Sequence, residues 1–411
     1  MTSERLSAFD AFFVAYQRQA GIAMHLGLDV ELDGALDRSA IDRAVNAVLS
    51  QWPALGAPLK KGLTGLHTSE RGDARAIVRV ERERSALDAE INAMIDPFNE
   101  PAMSVGWASE GARHRVVLRV HHAMMDGEGF AAVAMEFFAA LGGGRSEKER
   151  EGARRKSARA RPARSMSELL REKKARDDRV AARSHAMFSL GCIAPGPVSV
   201  VSESLVGEAL QRARARAESV GVSPALWVIA AWARAAHAEV GRAGEVAIEV
   251  PVSVRAREGL ENQRGNHIAP LVFFADAQRP IEQVARGMRA SLRAAVERGQ
   301  LEMDRVLSAP GAMLPWAVFE RVAVNPTTTG NATTHVAAVR VDRSVRGLFT
   351  EASGLSLVRW APFSPVCLKM GAALTVIQAP DEWAMAVTYR RNAMSESRAK
   401  SLLERAVAEL G

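Results

Sequence analysis

The sequence predicts a mixed α/β (α+β) sandwich of two lobes, and three observations carry that prediction. The chain has 411 residues, too many for one ordinary hydrophobic core. Hydrophobic residues make up 48 % of it, enough to fill two cores, so the chain reads as globular and not as disordered. Strand-like and helix-like stretches are mixed in both halves, which stacks helices on sheets. The division expected is a first lobe over 1–142, a basic connection over 143–185 and a second lobe over 186–411.

In chain order, "GIAMHLGLDVEL" reads as a strand. The helix-like "DRSAIDRAVNAVLSQWP" follows, with Asp37 as N-cap, Ile41, Ala44, Val45, Val48 and Leu49 on one face, and Pro53 as its stop. "RVVLRVHH" is another strand. "GEGFAAVAMEFFAALGGG" is a helix with Phe130, Val133, Phe137 and Leu141 at core spacing, Asp126 near its start and glycines at its end. In the second half "GEALQRARARAESVG" and "PALWVIAAWARAAHAEVG" are adjacent helices, followed by the strands "EVAIEVPVSVR" and "HIAPLVFFAD". A long helix places Ile281, Val284, Met288 and Leu292 on one stripe. The strand "HVAAVRVDR", a hairpin of "ALTVIQA" and "WAMAVTY", and a last helix from about Ser395 complete the chain.

The formal net charge is +7, and its location says more than its size. Residues 145 to 183 hold 15 Lys or Arg against 7 Asp or Glu, an excess of 8, so the basicity belongs to the connection. Such a segment is a solvated linker or exposed helix, or a patch for acidic lipid, CoA phosphates or a carrier protein. No aromatic residue interleaves with these charges for bases to stack on, which argues against nucleic acid. Cys192 and Cys367 lie far apart without CxxC spacing, so neither a disulfide framework nor a zinc knuckle is expected and a reducing compartment is. The charged start "MTSERLSAFDAFF" has no cleavable apolar core and the longest apolar runs are too short to span a bilayer. The expectation is a soluble cytoplasmic protein.

The chemistry concentrates in "VVLRVHHAMMDGEGF", residues 116 to 130. Neighbouring strand residues face opposite ways, so His122 is expected beside Val116, Leu118 and Val120, and His121 beside Val117 and Arg119. His122, on the apolar face, is the imidazole expected to be held neutral and able to accept a proton. Asp126 sits at the turn into a helix, where a buried carboxylate needs a cation, and Arg255 at the end of "EVPVSVR" is the candidate. Gly127 is expected to let the chain turn sharply. A metal site does not fit, because adjacent strand histidines diverge and no HExxH or further His/Cys cluster is present. A plain core histidine remains open. No GxSxG elbow exists for a serine nucleophile.

"HHAMMDG" matches HHxxxDG, and on it the chain resembles the chloramphenicol-acetyltransferase-like superfamily of condensation domains and acyltransferases. "LSAFDAFFVAYQRQAGIAMHLGLDVEL" is similar to the opening of bacterial wax ester synthase/diacylglycerol acyltransferases, where Leu-Ser-x-x-Asp-Ala precedes a Met-His-x-Gly strand. "VPVSVR" with Gly265 and Asn266 resembles the family's second-lobe strand and Gly-Asn pair. Departures lie at Trp52, Pro53, Ala54, Leu55 and Gly56, where a His-Pro-x-Leu-Arg turn is usual, at "VSPALW" and at "VNPTTTGNATTHV". They remove the grounds for a long-chain alcohol or diacylglycerol as acceptor.

The resemblance implies two similar lobes with a tunnel between them, His122 at its middle, and transfer of an acyl group from a thioester to a hydroxyl or amine without a covalent acyl-enzyme. It implies His122, Asp126 and Gly127 as catalytic residues, His121, Arg255 and Asn266 as supporting ones, and no metal or resident cofactor. The partners implied are a small-molecule acyl donor, acyl-CoA or a carrier-borne thioester, and a small acceptor, with at most peripheral membrane contact. The alternatives are a condensation enzyme with a carrier-bound donor and a non-catalytic binding homologue. For the oxyanion donor the backbone N–H after Asp126, Asn266, and Thr333 or Thr334 are candidates. His25, His267 and His335 read as structural or surface residues, and Trp227, Trp232 and Met24 as core.

Overall fold

The computed structural model describes residues 4–69, 77–81, 83–143, 165–183, 185–186, 194–241, 245–255, 265–323, 332–349 and 353–411. The first lobe runs through α1 (Ala8–Ala20), β1 (His25–Gly34), α2 (Arg38–Gln51), a small hairpin of β2 (Lys60–Lys61) and β3 (Leu66–His67), and β4 (Val78–Glu81). It continues with α3 (Leu87–Asn92), β5 (Met103–Glu110), β6 (Arg113–His121) and α4 (Gly127–Leu141). The second half holds α5 (Met166–Ala182), β7 (His185–Ala186), β8 (Val198–Val206), α6 (Gly207–Val220), α7 (Pro224–Val240), β9 (Glu245–Ser253) and β10 (Ile268–Ala275). Then come α8 (Ile281–Glu297), α9 (Gln300–Ser308), α10 (Trp316–Val322), β11 (Thr334–Arg340), β12 (Leu355–Phe363), β13 (Ala372–Gln378), β14 (Glu382–Arg390) and α11 (Glu396–Leu410).

The apolar alternation of β6 pairs with that of β1 in antiparallel register, Val116 opposite Val30 and Leu118 opposite Leu28. These residues, wholly buried, form one core with Ile41, Val45, Phe130 and Phe137 of α2 and α4. Asp37 caps α2 as expected, its carboxylate accepting from the Ala40 N–H. The opposite face is mixed, with Val117 packed among Leu87, Ile91 and Phe363. There Arg115 reaches Asp29 at 2.8 Å and Arg119 pairs with the buried Glu90.

The first sheet has five strands in the order β12-β1-β6-β5-β4. Its outermost strand β12 comes from the second half of the chain and lies antiparallel to β1, Gly27 opposite Phe363. A Cβ at Gly27 would stand 2.0 Å from the Phe363 ring, so only glycine lets that strand dock. The lobes therefore share a strand and do not divide cleanly at the connection. The second sheet runs β10-β9-β11-β13-β14-β8, with β7 beside β9. One face carries α7, α8 and α11, whose core includes the buried Trp227 and Trp232.

Within the connection, α5 is a docked helix. Leu169 is buried, Arg176 meets Asp304 at 2.6 Å and Glu172 accepts from Gln300 at 2.6 Å. Its five basic and four acidic residues nearly balance, with Lys173 and Lys174 paired to Asp177 and Asp178 one turn on. The strongly basic stretch over 145–164 and Cys192 lie outside the described residues. No single described helix is long and apolar enough to cross a membrane, and α6 with α7 pass that test only as a pair bent by 99°.

Candidate active site

β6 ends at His121, one residue earlier than the alternation suggests, because the chain turns on that side chain. His121 Nδ1 accepts the Ala123 N–H at 3.1 Å, and its carbonyl accepts the Met124 N–H at 3.0 Å. His122 thus lies one residue past the strand, against Phe13, which belongs to the same core as Val116, Leu118 and Val120. Its N–H donates to the Met24 carbonyl at 2.9 Å. Its ring lies flat on Phe13 of α1, with centroids 3.9 Å apart and planes 6° from parallel.

A chain of side chains holds the His122 carbonyl. Asn266 donates its side-chain amide to the His122 carbonyl at 2.7 Å and to Asp10 Oδ1 at 2.8 Å, and its N–H also meets Asp10 Oδ1 at 2.8 Å. Asp10 in turn takes the Ser7 hydroxyl at 2.6 Å, closing a capping box at the start of α1. Burial raises the Asp10 carboxyl above the ordinary range, against the pull of these hydrogen bonds. The Asn266 amide is committed to this chain, and the Thr334 hydroxyl to the Ala372 carbonyl at 2.7 Å while accepting from Trp232 Nε1 at 3.2 Å. Neither is left to donate to an oxyanion, which corrects two of the candidates. Thr333 Oγ1 accepts the Ala247 N–H at 3.2 Å.

Asp126 caps α4, accepting the Gly129 N–H at 3.0 Å, and is fully buried. Arg255 reaches it from the second lobe, its Nε 3.0 Å from Oδ2 and its Nη2 3.1 Å from Oδ1. The His267 N–H adds a bond to Oδ2 at 2.9 Å, and Arg255 Nη2 also holds the Gly265 carbonyl at 2.8 Å. Asp126 therefore acts as a pin between lobes and does not appear among the hydrogen bonds of the His122 ring. Gly127 opens α4 without a left-handed conformation, so the expected sharp turn is not its reason. A Cβ there would stand 2.9 Å from Val339 Cγ2 on β11, and glycine is what lets the helix approach the second sheet. A cavity of about 30 Å³ behind the turn, lined by Trp52, Leu55, Met124, Met125, Gly129 and Arg255, has room for about one water.

Burial keeps the histidines uncharged. It lowers His122 to about 4, assisted by the charge of His335 and opposed by its own carbonyl and by Asp126. Its Nδ1 is enclosed and makes no hydrogen bond of ordinary geometry. His121 falls to about 3, first from burial and then from the His122 charge. His25, whose Nε2 lies 3.0 Å from the Ile91 carbonyl, is lowered well below the ordinary value, by burial first and then by the Arg119 charge. Their unfolded counterparts titrate near 6.5, so between pH 6.5 and pH 5 the unfolded chain binds more protons and stability falls as pH falls. His121 and His122 each contribute about 2 kcal/mol of that loss by pH 5, with Asp10 acting in the opposite sense. Urea titrations at pH 7 and pH 5 read the slope, and His121→Asn is expected to reduce it by about one proton. An unchanged slope in that variant contradicts a buried neutral His121.

Three participants escaped the reading of the sequence. Asp10 carries a signal, the Ser7-x-x-Asp10 capping box before an apolar run. Phe13 carries none beyond its apolar position. His335, read as structural or surface, lies on β11 in register with Glu249 of β9, its Nδ1 3.7 Å from Glu249 Oε1. Only that pairing shows it to be near the site. Among the described residues no group of His, Cys, Asp and Glu is arranged to hold a metal ion.

Comparison with solved structures shows that this two-lobed fold is shared, over the whole chain, with condensation domains and a wax ester synthase. The first condensation domain of the CDA synthetase matches with a TM-score of 0.63 and 18 % identity, covering 100 % of this chain and 95 % of that one. The wax ester synthase/diacylglycerol acyltransferase from Marinobacter aquaeolei VT8 matches at 0.62 and 16 %, covering 99 % and 98 %. The starter condensation domain of rhizomide synthetase, solved in complex with C8-CoA, matches at 0.65 and 14 %, covering 99 % and 94 %. No family model and no curated protein matches the sequence.

Proposed function

We propose that this protein is an acyltransferase that moves an acyl group from a thioester, acyl-CoA, to a hydroxyl acceptor and forms an ester. The observation that carries the reading is His122 itself, uncharged, set on Phe13 and fixed through its backbone by Asn266 and Asp10 where the two lobes meet. An imidazole lowered to about 4 is almost wholly unprotonated at pH 7 and free to accept a proton. As the acceptor oxygen attacks the thioester carbonyl carbon, its proton passes to His122. The tetrahedral oxyanion then collapses, the C–S bond breaks, and the imidazolium returns that proton to the departing thiolate. Such an imidazolium is a strong acid in this enclosed place, so the return is downhill. Asp126, Arg255, Gly127 and His121 position the turn, and the Gly127 N–H opening α4 and the Thr333 hydroxyl remain of the oxyanion donors expected from the sequence. The scheme uses no resident metal or cofactor.

A second reading has its own support. Condensation domains match this chain over its full length as fully as the wax ester synthase does, so a carrier-borne acyl donor and an amide or ester product fit the same fold. Thiol release from short-, medium- and long-chain acyl-CoAs, with pooled alcohols and amines, separates the two. Acceptor-dependent release with a KM of about 1 μM to 1 mM is expected for a CoA-dependent enzyme. Release only from a carrier-bound thioester favours the condensation reading, and none from either leaves a binding homologue.

A further inference from the structure

Several enclosed carboxylates in this protein have guanidinium partners, and Asp10 has instead the Ser7 hydroxyl and the Asn266 amide. Asp126 has Arg255, Glu90 has Arg119, Asp29 has Arg115 and Glu382 has Arg346. Glu249 breaks the pattern. Its side chain is 26 % exposed, and among the described residues it has no hydrogen bond and no Lys or Arg within ion-pair distance. Its one ionic neighbour, His335, lies at 3.7 Å, beyond hydrogen-bond range, and is a cation only when protonated.

The location of this carboxylate is as informative as its lack of a partner. Along β9, Val246, Ile248 and Val250 enter the helix-covered core. Ala247 and Glu249 alternate onto the other face, where Ala247 packs with Val366, Met370 and Ala373. His335 is in register with Glu249 on one side and Ala373 on the other. On the Glu249 face of β9, Ser253 donates its hydroxyl to Glu128 at the start of α4 at 2.9 Å, and Val339, on the His335 face of β11, lies against Gly127, while burial first and the Glu249 charge second push the Cys367 thiol up to about 12. Glu249 thus belongs to the neighbourhood of the proposed base while taking no part in holding it.

We infer that Glu249 is the recognition point for a cationic acceptor: the molecule whose hydroxyl or amine meets His122 carries a second, positively charged nitrogen that pairs with the Glu249 carboxylate. A half-buried carboxylate without a cation carries a desolvation cost that a bound ammonium offsets, and the same charge repels anionic acceptors. The inference rests on the acyl-transfer reading for the role of the bound molecule, but its test does not depend on turnover.

Binding of 3-amino-1-propanol, 1-butanol and 3-hydroxypropanoate, matched in size and differing in charge, is measured by calorimetry or saturation-transfer NMR without any donor. The amino alcohol is expected to bind roughly 10- to 100-fold more tightly than butanol, the range for a hydrogen bond to a charged group. Glu249→Gln is expected to bring that ratio near one and Glu249→Lys to turn the preference toward 3-hydroxypropanoate. A wild-type ratio near one overturns the inference whether or not the variants fold, and so does a preference that persists in Glu249→Gln. Charge-selective binding without acyl transfer to any acceptor supports the cation site and faults the acyl-transfer reading. Acyl transfer without charge selectivity does the reverse.

Discussion

His122→Ala is expected to lower kcat for acceptor-dependent thiol release by roughly 10² to 10⁴ while the fold is retained. The magnitude is that of removing a positioned general base. Retention of the fold follows from how the residue is held. The bonds that fix it run to its N–H and carbonyl, from Met24 and Asn266, and alanine keeps both. What is lost is a ring stacked on Phe13, whose Nδ1 has no ordinary hydrogen bond to lose. A melting curve close to wild type with kcat lowered by that factor is the result expected. Loss of soluble protein instead would mean that the ring is a core element, and undiminished turnover would remove it from the chemistry.

Arg255→Met is expected to be the most destabilising single change at the site, by about 3–5 kcal/mol in urea unfolding, because it leaves a fully buried carboxylate without its cation. Asp126→Asn should cost less, since it leaves no buried negative charge and its one amide oxygen can still accept either the Gly129 or the His267 N–H, which reach different oxygens of the carboxylate. Combining the two substitutions removes the orphaned charge, so the double variant should be more stable than Arg255→Met alone. Additive losses would show that the two residues do not act as a pair. A variant of Asp126 with normal stability and no activity would move that carboxylate from the scaffold into the reaction.

The parts of the fold that were legible in the sequence are those whose signal is local. The period-2 alternation of 116–120 and the 3.6-residue stripes of 41–48 and 130–141 require neighbouring residues to share a face, so strand and helix are set within a few residues of chain. The end of β6 was misjudged by one residue because its stop is a side-chain bond, from the Ala123 N–H to His121, and no periodicity records it. The crossing of β12 into the first sheet was not visible either. Its partner β1 lies more than 300 residues earlier, and the one hint, Gly27, acquires meaning only once the Phe363 ring lies over it.

At the site, Asp126 and Arg255 could be matched from afar because a buried carboxylate demands a cation, and arginines at strand ends are few. Polar partners without charge offer no such constraint. The link from Asp10 through Asn266 to the His122 carbonyl spans 256 positions and uses residues that serve equally well as caps or turns. His335 and Glu249 are likewise brought together only by the parallel pairing of β11 with β9.

By itself, then, the sequence determined the two-lobed mixed architecture, the HHxxxDG turn and the charged pin beneath it, because each depends on local period, local spacing or the energetic need to neutralise a buried charge. Only the tertiary structure decided which ring His122 lies against, what holds its backbone and which carboxylate comes to face His335. Those are outcomes of register and of contact between segments hundreds of residues apart, where a shift of one residue exchanges the faces of a strand.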